Sequence, residues 1–378
     1  MNKTICFVSA QYLPHMGGVE RYTYNIAKEC VERGYHVIVI TSHVSGLSRH
    51  ETQEGIEIIR LPSLNLMNGR LPVLKPLDRE AKDTLNSIKG KIDFCVVNTR
   101  FYFLSLFGMR FAKKNNIPLI TIEHGTAYLT FNNMFLNCIE RIYENTVTKI
   151  GKRYCDHYYG VSQACLEWLK NFNIRGEGTL YNSIDPRDCE NIKSTFKKEY
   201  KIPQNSIVVT FTGRLVKEKG IIQLVEAFNL VKDNFPNIYL VVVGDGPLST
   251  LFDSNQDRII YLGRKGNKEV LNVLNDSDIF CLPSESEGFS TSILEAVACK
   301  NFIITTARGG SKELLIDDEY GIIMQDNEVK KIADALTKAI SEIDYRNRGI
   351  ELAYQRLINN FTWEKNVDAL ETIMNSIN

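Results

Sequence analysis

Ile279-Phe-Cys-Leu-Pro283-Ser-Glu-Ser-Glu287-Gly-Phe-Ser-Thr-Ser-Ile-Leu-Glu295-Ala-Val-Ala298 holds a strand, a turn and a helix in succession. Four apolar residues run into Pro283, a polar acidic turn follows, and 293–298 reads as a helix. A strand that passes to a helix through a short polar loop is the building unit of a parallel α/β sheet. The loop then lies at the strand's carboxyl end, where the first N–H groups of the helix lack intrahelical partners and can bond an anion or sugar hydroxyls. Glu287 falls on the loop and Glu295 on the first turns of the helix. A carboxylate is a natural acceptor for the two hydroxyls of a ribose. A capped helix fits the same residues, because Ser292-x-x-Glu295 has capping-box spacing and the acidic turn can simply be solvated. Taken alone, the pattern favours that plainer reading.

The same unit recurs on both sides of this stretch. In the first half, strands are predicted at 4–9, 37–41, 57–61, 94–98, 119–123 and 157–161, with a helix at 19–33 and further helical stretches between most of the others. After a polar, charge-rich stretch from Asp185 to Lys201 the grammar restarts, with strands at 207–212, 239–243, 259–262, 279–282 and 302–305 and a helix at 221–234. Apolar runs separated by helices indicate parallel sheets covered on both faces. The division is an N-terminal domain over 1–185, a linker over 186–202 and a C-terminal domain over 203–362, with 363–378 expected to pack back on the first domain. Two doubly wound domains leave a cleft at their strand ends.

The length of 378 residues suits two domains, and 44% apolar with 24% charged residues is an ordinary globular mix. The net charge of zero implies no nucleic acid or other strongly charged partner. Nine cysteines without a Cys-x-x-Cys pair argue against zinc ribbons and thioredoxin chemistry. The odd count and the lack of a signal peptide point to a reducing cytoplasm. No run reaches the ~18–20 apolar residues that span a bilayer.

Other loops carry chemistry-bearing residues at strand ends. Gly213-Arg-Leu-Val-Lys-Glu-Lys-Gly220 follows the strand at 207–212 and projects Arg214 and Lys219 where phosphates can bind, although a solvated basic turn explains it as simply. Gly17-Gly-Val-Glu-Arg21 follows the first strand, His124-Gly125 follows 119–123, and Gly244-Asp-Gly-Pro247 follows 239–243. The last is one residue short of a dinucleotide fingerprint, and its Pro argues against NAD. A lone His is more often structural than catalytic.

Glu287-Gly-Phe-x-x-x-x-Leu-Glu295-Ala resembles the E-x7-E signature of the family 4 retaining glycosyltransferases, which have the GT-B fold of two Rossmann-like domains facing a cleft. The other motifs stand in the family's order: Gly-Gly-x-x-Arg, His-Gly, Gly-Arg-Leu-x-x-x-Lys-Gly and Gly-Asp-Gly-Pro. The resemblance implies that Glu295 binds the nucleotide ribose, that Glu287 sits by the donor sugar, and that the amides of Gly288, Phe289, Ser290 and Thr291 hold sugar hydroxyls and phosphate. It implies that Arg214 and Lys219 clamp the donor diphosphate without a metal. Gly17 and Gly18 would approach the diphosphate or acceptor, Gly244 and Arg264 would lie near the base, and His124 would make a polar contact to the donor sugar rather than act as a general base. The catalytic set is therefore His124, Glu287, Arg214 and Lys219, with no cofactor beyond the nucleotide-sugar. The pattern departs at Lys300 and Phe302, where the family has Gly and Pro, and at Asn182-Ser-Ile-Asp185, where it has Asn-Gly-Ile-Asp.

Two further motifs mislead. Asp276-Ser-Asp278 has the form of a metal-binding Asp-x-Asp, but it ends a helix and reads as a helix stop. Gly160-Val-Ser-Gln-Ala164 approaches a hydrolase nucleophile elbow, yet Ser162 is a good N-cap and no Asp-then-His order follows. The resemblance is weakest over 44–110 and 126–155, where acceptor specificity would reside. There, 100–114 reads as a crossover helix and 126–142 as an acceptor loop. The expected activity is retaining transfer from a UDP-sugar to a glycan or lipid-linked hydroxyl in surface polysaccharide or glycolipid synthesis. It would take place in the cytoplasm or at the inner membrane face, with peripheral contact through the N-terminal domain. A GT-B-fold epimerase and a nucleotide-sugar binder without turnover are the alternatives.

Overall fold

The computed structural model describes residues 3–15, 17–66, 71–128, 134–254 and 256–377. The chain divides into two compact units, Met1–Asn182 with Trp363–Asn378, and Ser183–Thr362.

The first unit is built on β1 (Thr4–Val8), β2 (His36–Ser42), β3 (His50–Gln53), β4 (Ile56–Leu61), β5 (Ser63–Leu66), β6 (Leu71–Leu74), β7 (Phe94–Asn98), β8 (Leu119–Glu123), β9 (Tyr158–Gly160) and β10 (Gly178–Thr179). Eight of these form one sheet in the order β10-β9-β8-β7-β1-β2-β4-β3. Every residue of β1, β7 and β8 is buried, which explains why these strands read as continuous apolar runs. The only antiparallel neighbour in this sheet among the described residues is β3 on β4. Its polar, largely exposed His50-Glu-Thr-Gln53 blunts the edge against further pairing. Helix Gly18–Glu32 lays Tyr22, Ile26, Ala27 and Cys30 on the core side. The final helix, Trp363–Ile377, packs on it through Trp363 against Tyr22, with ring centroids 5.4 Å apart, and through Arg33 to Asp368 at 2.8 Å.

The second unit holds β11 (Ile207–Thr212), β12 (Ile238–Val243), β13 (Ile259–Tyr261), β14 (Ile279–Leu282), β15 (Phe302–Thr306) and β16 (Ile322–Met324). All are parallel, in the order β13-β12-β11-β14-β15-β16. The sequence runs outward on one side as far as β13 and then restarts at β14 beside β11. That reversal opens a crevice at the carboxyl ends of β11 and β14, the usual ligand position of a doubly wound sheet.

The stretch 186–202 is not a linker. It forms short helices Arg187–Glu190 and Phe196–Glu199, and Phe196 and Ile202 are buried with Val208, Val241 and Val273. Asn275 Nδ2 donates to the carbonyls of Cys189 and Ile192 at 2.9 and 3.0 Å. Charge density masked this in the sequence, because the two apolar anchors are spaced among lysines.

Candidate active site

The loops after β11 and β14 are joined by both main chain and side chains. Glu285 N–H donates to the Glu218 carbonyl at 2.8 Å. Gly220 is left-handed (φ 71°), and a Cβ there would lie 2.2 Å from the Pro283 carbonyl oxygen, so the approach of the two loops requires glycine. Across this contact Lys219 Nζ meets Glu287 Oε1 at 2.5 Å, and Ser284 Oγ donates to the same oxygen at 2.8 Å. Sequence positions 219 and 287 thus become one ion pair at the switch point. Lys219 has three N–H donors and commits one to Glu287, which leaves two for a ligand. Arg214, on the same loop, is exposed and forms no ion pair among the described residues.

Glu295 is 6% exposed on helix Thr291–Ala298. The N-cap of this helix is Ser290 and makes no side-chain cap bond, which places Ser292 inside the helix and Glu295 in its second turn. The capping-box reading of Ser292 and Glu295 is therefore overturned. A buried carboxylate one turn below a helix N-terminus needs a reason other than capping. Gly288, Ser290 and Thr291 line the entry to that helix and are half-buried. Phe289 points its ring into the unit, 5.3 Å from Phe361, so its side chain anchors the loop.

The remaining strand ends add to the same edge. Gly244 follows β12, donates from its N–H to the Gly263 carbonyl at 2.9 Å, and accepts from Tyr261 Oη at 3.2 Å. Arg264 follows β13 and is exposed. The loop after β15 was missed in the sequence: Gly310 N–H donates to the Gly288 carbonyl at 2.8 Å. Gly309 (φ 55°) lies so close that a Cβ would stand 2.2 Å from that same oxygen. The signal was present, since Gly309-Gly310 is another turn at a strand's carboxyl end.

In the first unit, β1 and β7 form the equivalent reversal. Gly17 and Gly18 open helix Gly18–Glu32, but Glu20 Oε2 already accepts the Gly17 N–H at 2.9 Å. That amide is committed to the helix cap, and among the described residues nothing lies within 4 Å of where a Gly18 Cβ would stand.

His124 follows β8 within a defined chain of hydrogen bonds. Thr23 Oγ donates to the Val19 carbonyl at 2.7 Å and so accepts from Asn98 Nδ2 at 2.9 Å. The Asn98 oxygen then faces His124 Nε2 at 2.9 Å, which assigns the ring proton to Nε2 and leaves Nδ1 as the acceptor. The Tyr22 ring meets the imidazole edge-on at 4.8 Å. Burial pushes the His124 pKa down to about 3, so the ring is neutral at physiological pH. Glu123 Oε1 accepts the N–H groups of His124 and Gly125 at 3.0 and 2.9 Å, and Arg100 binds its other oxygen. Asn98 and Arg100 were not singled out from the sequence, although Asn98 ends an apolar strand and Arg100 follows it at the same edge.

The misleading motifs take structural roles. Asp276 Oδ2 accepts from Lys197 N at 2.7 Å and Asp278 Oδ2 from Val208 N at 2.9 Å, at the opposite end of the sheet from these loops. Among the described residues no cluster of three His, Cys, Asp or Glu could hold a metal. Ser162 caps helix Gln163–Lys170 by accepting from Cys165 N at 3.2 Å. Residues 103–114 form the crossover helix Phe103–Lys114. Of the 126–142 stretch, 129–133 lie outside the described residues, and helix Met134–Gly151 begins directly after them.

Comparison with known proteins bears on the family and the fold. Residues 192–356 match the glycosyl transferases group 1, and residues 16–187 match Glycosyltransferase Family 4. The chain is 27% identical over 376 residues to an uncharacterized glycosyltransferase of Methanocaldococcus jannaschii, covering 96% of this chain and 95% of that one. It is 24% identical over 355 residues to a component of human phosphatidylinositol N-acetylglucosaminyltransferase, covering 90% and 69%. Similar solved structures include a Rickettsia africae glycosyltransferase (TM-score 0.76, 22% identity, 100% and 98% covered). Another is HepE of Anabaena in complex with UDP (TM-score 0.75, 17% identity, 100% of both chains).

Proposed function

The chain belongs to the family 4 glycosyltransferases of GT-B fold, and we propose that it transfers a sugar from a UDP-sugar to a hydroxyl of a glycan or lipid-linked acceptor, with retention at the anomeric carbon. The observation that carries this reading is the Lys219–Glu287 pair at the switch point between β11 and β14. A cation for the leaving diphosphate and a carboxylate for the developing positive charge meet where a doubly wound sheet binds its ligand.

In this reading Glu295 accepts the ribose hydroxyls. The diphosphate lies against Arg214, the two spare donors of Lys219 and the amides of Gly288 to Thr291, while Gly244 and Arg264 border the base. Breaking the anomeric C–O bond moves an electron pair onto the diphosphate, whose charge these donors stabilise, and no metal takes part. The sugar becomes oxocarbenium-like beside Glu287, and the acceptor hydroxyl attacks from the face the diphosphate leaves, passing its proton to the departing phosphate oxygen. His124, neutral, makes a polar contact to the sugar and is not the base. UDP is favoured over GDP because HepE was solved with UDP and with UDP-glucose, and because the human relative is named for N-acetylglucosaminyl transfer.

Helix Met134–Gly151 supports an acceptor at a membrane surface. Met134, Phe135, Ile139 and Ile142 are exposed apolar residues on its first half, and Arg141 is exposed beside them. Such a face lies in a lipid interface, consistent with work at the inner membrane face. No helix among the described residues is long and apolar enough to cross a membrane.

The test is a panel of UDP- and GDP-sugars with and without lipid-linked sugar acceptors. A new glycosidic product with the donor's anomeric configuration supports the proposal. An isomerised nucleotide-sugar formed without acceptor would make the protein an epimerase instead.

A further inference from the structure

Arg100 is 1% exposed, and none of the transfer chemistry above uses it. A guanidinium held out of water gains little net stability from its carboxylates, because desolvation offsets the attraction. It is nevertheless held at both terminal nitrogens and against an aromatic ring, while its Nε has no hydrogen-bond partner among the described residues. Thr99, immediately before it, has φ 65°, a strained backbone for a β-branched residue. Nη1 donates to Glu123 and Nη2 to Glu144, and the guanidinium carbon stands 3.8 Å from the Phe172 ring centroid. Glu123 spends its other oxygen on the N–H groups of His124 and Gly125. Glu144 belongs to helix Met134–Gly151, whose first turns carry the exposed apolar face.

We propose that Arg100 is a positioning residue for the transfer reaction: through Glu123 it sets the His124-Gly125 turn, and through Glu144 it ties that turn to helix Met134–Gly151. The inference rests on the role of His124 proposed above. Glu123 alone can cap the two amides, but its carboxylate can rotate. Arg100 fixes that rotation, and Glu144 fixes Arg100. A shift of the helix when an acceptor docks is thereby felt at the imidazole.

The experiment compares the full-length protein with Arg100→Lys, Glu144→Leu and Glu144→Gln, by heteronuclear NMR of the Gly125 amide and His124 ring and by steady-state kinetics. The expected result for Arg100→Lys and Glu144→Leu is displaced signals at both groups and a kcat lowered about tenfold to a hundredfold, with donor KM within about twofold. Glu144→Gln, which still accepts from Arg100, restores kcat and signals. Unmoved signals in Arg100→Lys would overturn the proposal, as would a loss that only tracks the folded fraction or falls on donor KM. If Arg100→Lys does not fold, the Glu144 pair decides by the same criteria. Displaced signals with full activity, in a protein whose His124→Ala variant is also fully active, would defeat the role of His124 and leave Arg100's hold on the turn standing.

Discussion

The loops of the second unit and helix Met134–Gly151 of the first both have a part in the proposed function, yet they are built in opposite ways. The loops after β11, β14 and β15 are clamped by backbone, with Gly220 and Gly309 packed against neighbouring carbonyls and Lys219 paired to Glu287. The helix leaves Met134 88% exposed and Phe135 71% exposed, and holds its polar residues Glu140 and Glu144 inside. A nucleotide diphosphate has fixed geometry and rewards preorganised donors. An acceptor surface is met from solvent or lipid, and its affinity comes from apolar area.

The contrast breaks most readily at Lys219. Lys219→Ala should lower kcat/KM by about 10²–10³-fold, as loss of one preorganised donor to a leaving group does. Steady-state kinetics check this, and a change below about threefold would show that the ion pair only braces the loops. Glu295→Ala should come next, weakening UDP binding about 10–100-fold in calorimetry if the carboxylate holds the ribose through charge-assisted bonds of roughly 1.5–3 kcal/mol. Unchanged affinity would leave Glu295 without a ligand role. On the helix, Phe135→Ser and Ile139→Ser should each reduce partition onto anionic vesicles roughly tenfold while leaving UDP affinity alone. Equal co-sedimentation of variant and parent would remove the membrane from the account.

Two pH predictions have smaller amplitude. His124 is neutral above about pH 3, so kcat between about pH 5 and 8 should show no inflection that His124→Gln abolishes. Glu144 is raised from 4.5 to about 9, by burial first and by the neighbouring Glu140 second, against the lowering effect of Arg100. Arg100, Glu123, Glu140, Tyr102 and Tyr143 are the charged and titratable groups around it. The folded state thus favours its protonated form. Its contribution to stability is complete below about pH 4.5 and lost as pH rises towards about 9. The melting temperature of Glu144→Gln relative to the parent should therefore climb from about pH 5 to pH 9, by roughly 2–4 °C per kcal/mol. A flat difference would mean that Glu144 stays ionised beside Arg100.

What was legible follows the same division. Backbone-clamped loops need Gly, Arg, Lys and Glu at fixed offsets after apolar strands, so the positions of 213–220, 244–247 and 287–295 at strand ends were legible in the sequence, while their expected roles came only from the family resemblance. The short strands β3, β10 and β16 could not, since exposed or two- to three-residue strands carry no periodicity. Nor could the buried set of Arg100, Glu123, Glu140 and Glu144. Charged residues in sequence suggest a solvated face, and only tertiary packing gathers these four inside one unit. The capping-box alternative at Ser292 failed for a local reason: the helix starts two residues earlier than that reading requires, at Thr291 rather than Ile293.

The second unit's loops are proposed to hold a nucleotide-sugar for transfer without a metal. Release of UDP from a UDP-sugar, measured in EDTA with and without a lipid-linked acceptor, tests it most directly. The prediction is acceptor-dependent release in EDTA that falls about 10²–10³-fold in Lys219→Ala. Release abolished by EDTA, or unchanged in Lys219→Ala, would contradict it.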